Sequence, residues 1–176
     1  MLFYWSEQEI SIRIVEEKGR RFMERAEFYI SQIIEKSRLK ETNQFIHHGN
    51  TTILEHNVAV ARRAYRIAKG LKLNVSEKEL IFGAMLHDYY FYDWHEKDSG
   101  HRLHGYYHPG LSLKNAIKEM ELTAIEKDII KKHMFPLTLS PPKYKESIIV
   151  CLADKLCALE ETFRKKKLVR IPIKVD

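Results

Sequence analysis

Apolar residues along this chain recur every three or four positions almost from end to end, and several of the faces they mark carry a histidine or an aspartate. That spacing belongs to helices that bury one side. An unpaired carboxylate on such a side costs on the order of several kcal/mol, so each ionisable group there must find a partner. The two features together point to an all-α fold, a compact multi-helix bundle with a polar centre inside an apolar core.

Few breakers interrupt the pattern: 176 residues include only Gly 7 and Pro 5, and there is no internal repeat or low-complexity linker. A single domain is expected over 1–176, made of an N-terminal helical extension over 1–49, a core over 50–162 and a basic tail over 163–176. A first helical region covers 6–39, with a candidate break at Gly19 and a stripe of Phe22, Ala26, Tyr29, Ile30 and Ile33. The polar stretch 40–50 reads as a connector, with His47 and His48 solvated. A second helix starts after Asn50 or Thr51 and ends at Gly70. A third starts near Ser76, where S-E-K-E resembles a capping box, and becomes apolar all round before His87 and Asp88. A long aromatic and histidine-rich loop then covers 89–107. Pro109 suits the first turn of a fourth helix, which puts His108 at its cap. Two more helices are expected over 123–133 and 144–165.

Charge and composition exclude several classes. The net charge is +6, and between Arg164 and Asp176 six basic residues stand against one acid, which leaves the rest of the chain close to neutral. A solvated basic tail is therefore expected in place of a nucleic-acid-binding face. No apolar run approaches the roughly 20 residues that span a bilayer, and the start lacks a signal-peptide pattern. Cys151 and Cys157 share one apolar stretch and read as small core residues. We expect a cytoplasmic protein without a membrane segment. The aromatic cluster Phe3, Tyr4 and Trp5 reads as a docking or core anchor.

The ionisable residues carry the functional reading. His56 has Thr52, Ile53, Ala59 and Val60 one helical turn away, so its imidazole faces the core. Asp154 is flanked at that spacing by Val150, Cys151, Cys157 and Ala158. Alone, it fits a salt bridge to an Arg or Lys as well as a metal ion. His133 follows Ile129 and Ile130, and His87-Asp88 closes the most apolar helix. Satisfying each group separately would strain so small a core, whereas a shared divalent metal centre satisfies all of them at once. Neutral imidazole and ionised carboxylate are ligands that Zn, Mn and Fe accept.

The order His56, His87-Asp88, Asp154 on helices resembles the HD-domain superfamily of metal-dependent phosphohydrolases over about residues 50–162. His108 and His133 match the extra histidines of its two-metal members. The resemblance implies that His56, His87, Asp88 and Asp154 hold a first metal, with Asp88 bridging to a second held by His108 and His133. His133 is followed by Met-Phe-Pro, unlike the cyclic-dinucleotide branch. The chain is too short for the dNTP triphosphohydrolases and lacks the acidic pair after HD found in many guanosine-tetraphosphate hydrolases. In size and ligand order it is similar to the small HD proteins that cleave dinucleoside polyphosphates.

One or two divalent ions (Fe, Mn, Co, Ni or Zn, with Mg as a further candidate) would then activate water against a phosphoester or phosphoanhydride of a small phosphorylated substrate, expected to be a nucleotide. Asp88 belongs to that machinery. Asp93 and His104 lead the candidates for proton donor and phosphate contacts, with His95, His101 and Lys155 also considered. His104 could replace His108 as ligand. The aromatic residues Tyr89, Tyr90, Phe91, Tyr92, Trp94, Tyr106 and Tyr107 read first as a small satellite core and second as stacking surfaces for a base. Two other classes remain open: a di-iron oxygenase using the same ligand types, and a non-catalytic module whose basic tail binds nucleic acid or a partner.

Overall fold

The structure of the protein is a computed structural model and describes residues 7–94 and 103–163. His95, His101, the aromatic cluster Phe3, Tyr4 and Trp5, and the basic tail from Arg164 lie outside the described residues. Within them the chain is helical apart from one short hairpin, as the apolar spacing requires.

Helix α1 (Glu7–Lys36) runs without a break at Gly19. It packs on the body through Ala26, Ile30 and Ile33, all buried, whereas Phe22 is half exposed and meets Tyr65 edge-on with ring centroids 5.8 Å apart.

The stretch expected as a polar connector is structured. It forms a 3-10 helix (Leu39–Gln44) and a two-stranded antiparallel hairpin, β1 (Ile46–His48) and β2 (Thr51–Thr52). Gly49 turns the hairpin with φ of 60°, a left-handed conformation that L side chains resist. His47 is buried and not solvated, because alternate strand residues point to opposite faces and its face is turned inward.

Helix α2 (Ile53–Gly70) starts one or two residues later than the sequence suggested, and its cap is Thr52. The Thr52 hydroxyl accepts from the Glu55 amide while Glu55 accepts from the Thr52 amide, so two orphan donors are satisfied at once. The same device starts α5 (Ala124–Lys132) with Thr123 and Glu126. Ser76 does precede α3 (Glu77–Leu86), but the expected capping box is absent. Its hydroxyl makes no cap bond, and its amide donates instead to Glu146 Oε1 on α6 (Lys145–Phe163), 2.9 Å away. A long-range bond replaces a local one.

Helix α3 is buried from Leu80 to Leu86 and packs against α1, α2, α5 and α6, so it is the centre of the bundle. Helix α4 (His104–Glu119) begins a turn earlier than expected, with Pro109 inside it and His108 helical rather than capping. A proline biases its predecessor away from helix but does not forbid it. Here the early turn is braced from the side: His104 stacks on Trp94 and on His108 (centroids 5.2 and 4.5 Å), and His108 Nδ1 reaches the His104 carbonyl at 2.9 Å. The loop after α3 is correspondingly shorter. Tyr89 and Tyr90, at its start, are fully buried. No helix among the described residues is long and apolar enough to cross a membrane.

Helices α3 and α5 approach closely at Gly83. A Cβ there would lie 3.0 Å from both Cβ and Cγ2 of Ile129, atoms fixed by β-branching, and closer still to its Cδ1. This contact sets the distance between the two helix ends that carry His87 and His133. Gly83→Ala is therefore expected to destabilise the fold by about 1–3 kcal/mol through overpacking, a shift readable as a lower urea midpoint with unchanged slope. An unchanged midpoint would show that the close approach has no structural weight.

Candidate metal centre

Six separate elements deliver polar side chains to one point in the core. Helix α2 carries His56, α3 ends at His87-Asp88, α4 carries His108, α5 ends at His133, α6 carries Asp154, and β1 carries His47. All seven residues are buried. The structure thus brings together every one of the six residues singled out from the sequence, and it adds His47. The signal that could have found His47 is its place at the foot of the helix that presents His56; a polar connector hid it.

The backbone fixes which ring nitrogen of each histidine looks inward. His87 Nδ1 lies 2.7 Å from the Ala84 carbonyl, His108 Nδ1 2.9 Å from that of His104, and His133 Nδ1 2.9 Å from that of Ile130. A carbonyl only accepts, so each Nδ1 carries a proton and it is Nε2 of each ring that faces the cluster. Nε2 of His108 and Nε2 of His133 then face each other at 2.7 Å, and Nε2 of His87 is buried with no hydrogen-bond partner. At that distance one of the two nitrogens donates to the other or a cation lies beside them; burial opposes a charge on His108, but the Asp88 carboxylate outweighs it and raises that imidazole, so in the metal-free protein His108 is the donor. Burial, with His87 and His108 close by, pushes the His133 imidazole down to about 3, so it is not the group that carries a charge.

Two carboxylates complete the cluster. Asp88 Oδ2 lies 3.3 Å from His47 Nε2 and 3.5 Å from His87 Nε2, while its Oδ1 lies 3.1 Å from His108 Nε2 and 3.5 Å from His133 Nε2. Asp154 Oδ1 lies 3.1 Å from His56 Nε2 and 3.7 Å from His87 Nε2. Burial would raise both carboxyls, but the surrounding imidazoles outweigh it and hold both well below the usual carboxylate range. His56 responds in the opposite sense. Burial opposes its charge, yet hydrogen bonds to Asp154 and to Glu161 push it up to about 10.

These residues fit a divalent cation. Three overlapping groups have ligand atoms within 4.8 Å of one another: His47, His56 and Asp88; His56, His87 and Asp154; and His87, Asp88 and His133. Imidazole nitrogen with carboxylate oxygen suits Zn, Mn, Fe, Co or Ni. The orphaned Nε2 of His87 is the kind of buried atom that a metal would satisfy.

The other sequence candidates fall around this centre. His104 lies beside it and outside those three groups, with its Nδ1 2.8 Å from the Tyr92 hydroxyl and its ring stacked on His108. Asp93 follows Tyr92 at the end of the first described segment. The Lys155 Nζ donates to the His133 carbonyl at 2.9 Å and to the Cys151 carbonyl at 3.3 Å, so it braces the end of α5. Tyr89 and Tyr90 are buried, and Tyr89 belongs to the main core and not to a satellite beneath the loop; Tyr89 donates to Glu119 and accepts from the Arg38 amide, and the Tyr90 hydroxyl meets His47 Nδ1 at 3.0 Å. Tyr106 and Tyr107 are exposed. Cys151 and Cys157 are buried and unbridged.

The HD domain family matches residues 53–159, more than half of the chain. The chain belongs to the HD domain family, whose members are typically metal-dependent hydrolases. No curated protein and no solved structure matches the chain.

The His56 shift has a measurable sign. In metal-free protein its charged contacts stabilise the fold fully below the unfolded value near 6.5, and that contribution is lost as pH rises through about 10. The thermal midpoint of metal-stripped protein should therefore fall between those pH values, and a His56→Gln variant should lack that fall. A wild-type midpoint flat across the window would contradict the arrangement.

Proposed function

We propose that this protein is a metal-dependent phosphohydrolase that cleaves a phosphoester or phosphoanhydride of a nucleotide or other small phosphorylated metabolite with activated water. In this reading His56, His87, Asp88 and Asp154 hold one divalent ion, and Asp88, His108 and His133 hold a second. The observation that carries it is the position of Asp88, whose two oxygens face two different sets of imidazoles. A carboxylate so placed can serve two cations at once. Fe, Mn, Co, Ni or Zn suit the donors, and Mg is a further candidate. When bound, such ions would supply positive charge against phosphate oxygens and would acidify water enough to make it a nucleophile near neutral pH.

The chain's own residues do the remaining work. Fixed Nδ1–H bonds to backbone carbonyls keep His87, His108 and His133 aimed inward without reorganisation. Asp88 and Asp154, ionised throughout the physiological range, supply the negative charge that holds cations in a buried site. His104 and Asp93 are the proposed donors of a proton to the leaving oxygen, His104 because it stacks on His108 at the margin of the cluster. Exposed Tyr106 and Tyr107, on the first turns of α4, offer rings on which a base could stack, which supports a nucleotide substrate.

The test is phosphate release from a panel of nucleotides, dinucleoside polyphosphates and simple phosphomonoesters, with protein stripped of metal and reloaded with Mn, Co or Mg. Activity is expected to vanish on stripping and return on loading. Asp88→Asn should lower kcat by about 10²-fold or more and reduce the bound metal. Oxygen-dependent turnover restricted to iron, with no phosphate released, would replace this reading with a di-iron oxygenase. Salt-sensitive binding of nucleic acid lost with residues 164–176, and no turnover, would replace it with a binding module.

A further inference from the structure

The family match ends at residue 159, and two residues past that limit the carboxylate of Glu161 returns to the centre. Its Oε2 lies 2.9 Å from His56 Nδ1, across 105 residues of sequence, and its side chain is only 9% exposed. The opposite nitrogen of the same ring, Nε2, is the one that faces Asp154. His56 therefore differs from His87, His108 and His133, whose Nδ1 atoms are tied to carbonyls of their own helices. Its ring is oriented by a carboxylate from a different helix.

Three contacts hold Glu161 in place. Arg63 on α2 grips the neighbouring Glu160 through two bonds of 2.7 and 2.6 Å, which fixes the last turns of α6 against α2. The hairpin closes from the other side, where Gly49 comes so near that a Cβ would lie 3.2 Å from the Glu161 carbonyl oxygen. The third is the bond to His56 itself. A long acidic side chain at a helix end would ordinarily turn to water, and here it is turned inward.

We propose that Glu161 is a positioning residue for the first metal site: it accepts the Nδ1 proton of His56, sets the rotation of the ring and makes Nε2 a stronger donor towards a divalent cation. This deepens the function proposed above and rests on its assignment of His56 as a ligand. Carboxylates that orient ligating imidazoles in this way govern metal affinity as well as ring geometry. Glu161 meets the Nδ1 side of the ring, opposite the Nε2 that faces Asp154, so its effect runs through His56. A merely structural ion pair would act in the opposite direction, because its removal would free His56 from a competing partner and ease metal uptake.

The experiment is a titration of full-length, metal-stripped protein with Co(II), read by competition with a chromophoric chelator and by the visible absorption of bound cobalt. Glu161→Ala should weaken the affinity of one site by about 10- to 100-fold and shift its absorption bands. Glu161→Gln, which keeps an acceptor oxygen without the charge, should recover part of the loss and covers the case in which the alanine variant folds poorly. Circular dichroism of the metal-free variants separates folding from binding. Unchanged or tighter cobalt binding by a folded variant, with an unaltered spectrum, would overturn the role of Glu161 and leave the proposed function standing. Failure of the wild-type protein to bind cobalt would instead overturn both.

Discussion

Three imidazoles, each with its Nδ1 proton bound to a backbone carbonyl, are pressed together so that their Nε2 atoms share one buried space with two carboxylates. Taken as neutral rings, the pair His108 and His133 would be repulsive at 2.7 Å. The arrangement is tenable only if positive charge resides among these groups. Everything else in the fold can be described by how it brings the elements to this point: α3 packs against α1, α2, α5 and α6, α2 packs on α6, and α5 packs on both α4 and α6. Burial raises the stakes, since in a low-dielectric interior unpaired polar groups are costly and well-matched ones are strong.

Much of this was legible in the sequence. A helix that is apolar all round has to be central, so α3 was expected in the middle, and the His87-Asp88 pair at its end was expected to point into the core. Asp154 and His56 were legible because one-turn neighbours on a helix report the environment of a side chain directly. The capping boxes at Thr52 and Thr123 use local residues, though the cap before α2 was expected at Asn50 or Thr51 and the one expected box was at Ser76. The one that failed, at Ser76, did so because Glu146 of α6 offered its amide a partner that no local window contains.

What the sequence hid were residues whose burial depends on tertiary contact. His47 sits in a short strand among polar residues, and only pairing of β1 with β2 turns it towards Asp88. Glu161 follows Glu160 in what reads as a solvated helix end, and nothing local distinguishes the outward Glu160, held by Arg63, from the inward Glu161, held by His56. Pro109 misled in the other direction. Its local preference for a first turn was overridden by stacking of His104 on Trp94 and His108, which extends α4 backwards and makes His108 helical. The Lys155 amine, one of several residues considered for the acid and phosphate contacts, donates to the carbonyls of His133 and Cys151.

The central claim is that cations occupy both sides of the Asp88 carboxylate. Anomalous diffraction from crystals grown with Mn(II) tests it most directly. The account predicts two peaks about 3.5–4 Å apart, one among His56, His87, Asp154 and Oδ2 of Asp88, the other among His108, His133 and Oδ1. Manganese bound only at the protein surface, with the interior cluster closed on itself through hydrogen bonds, would contradict it.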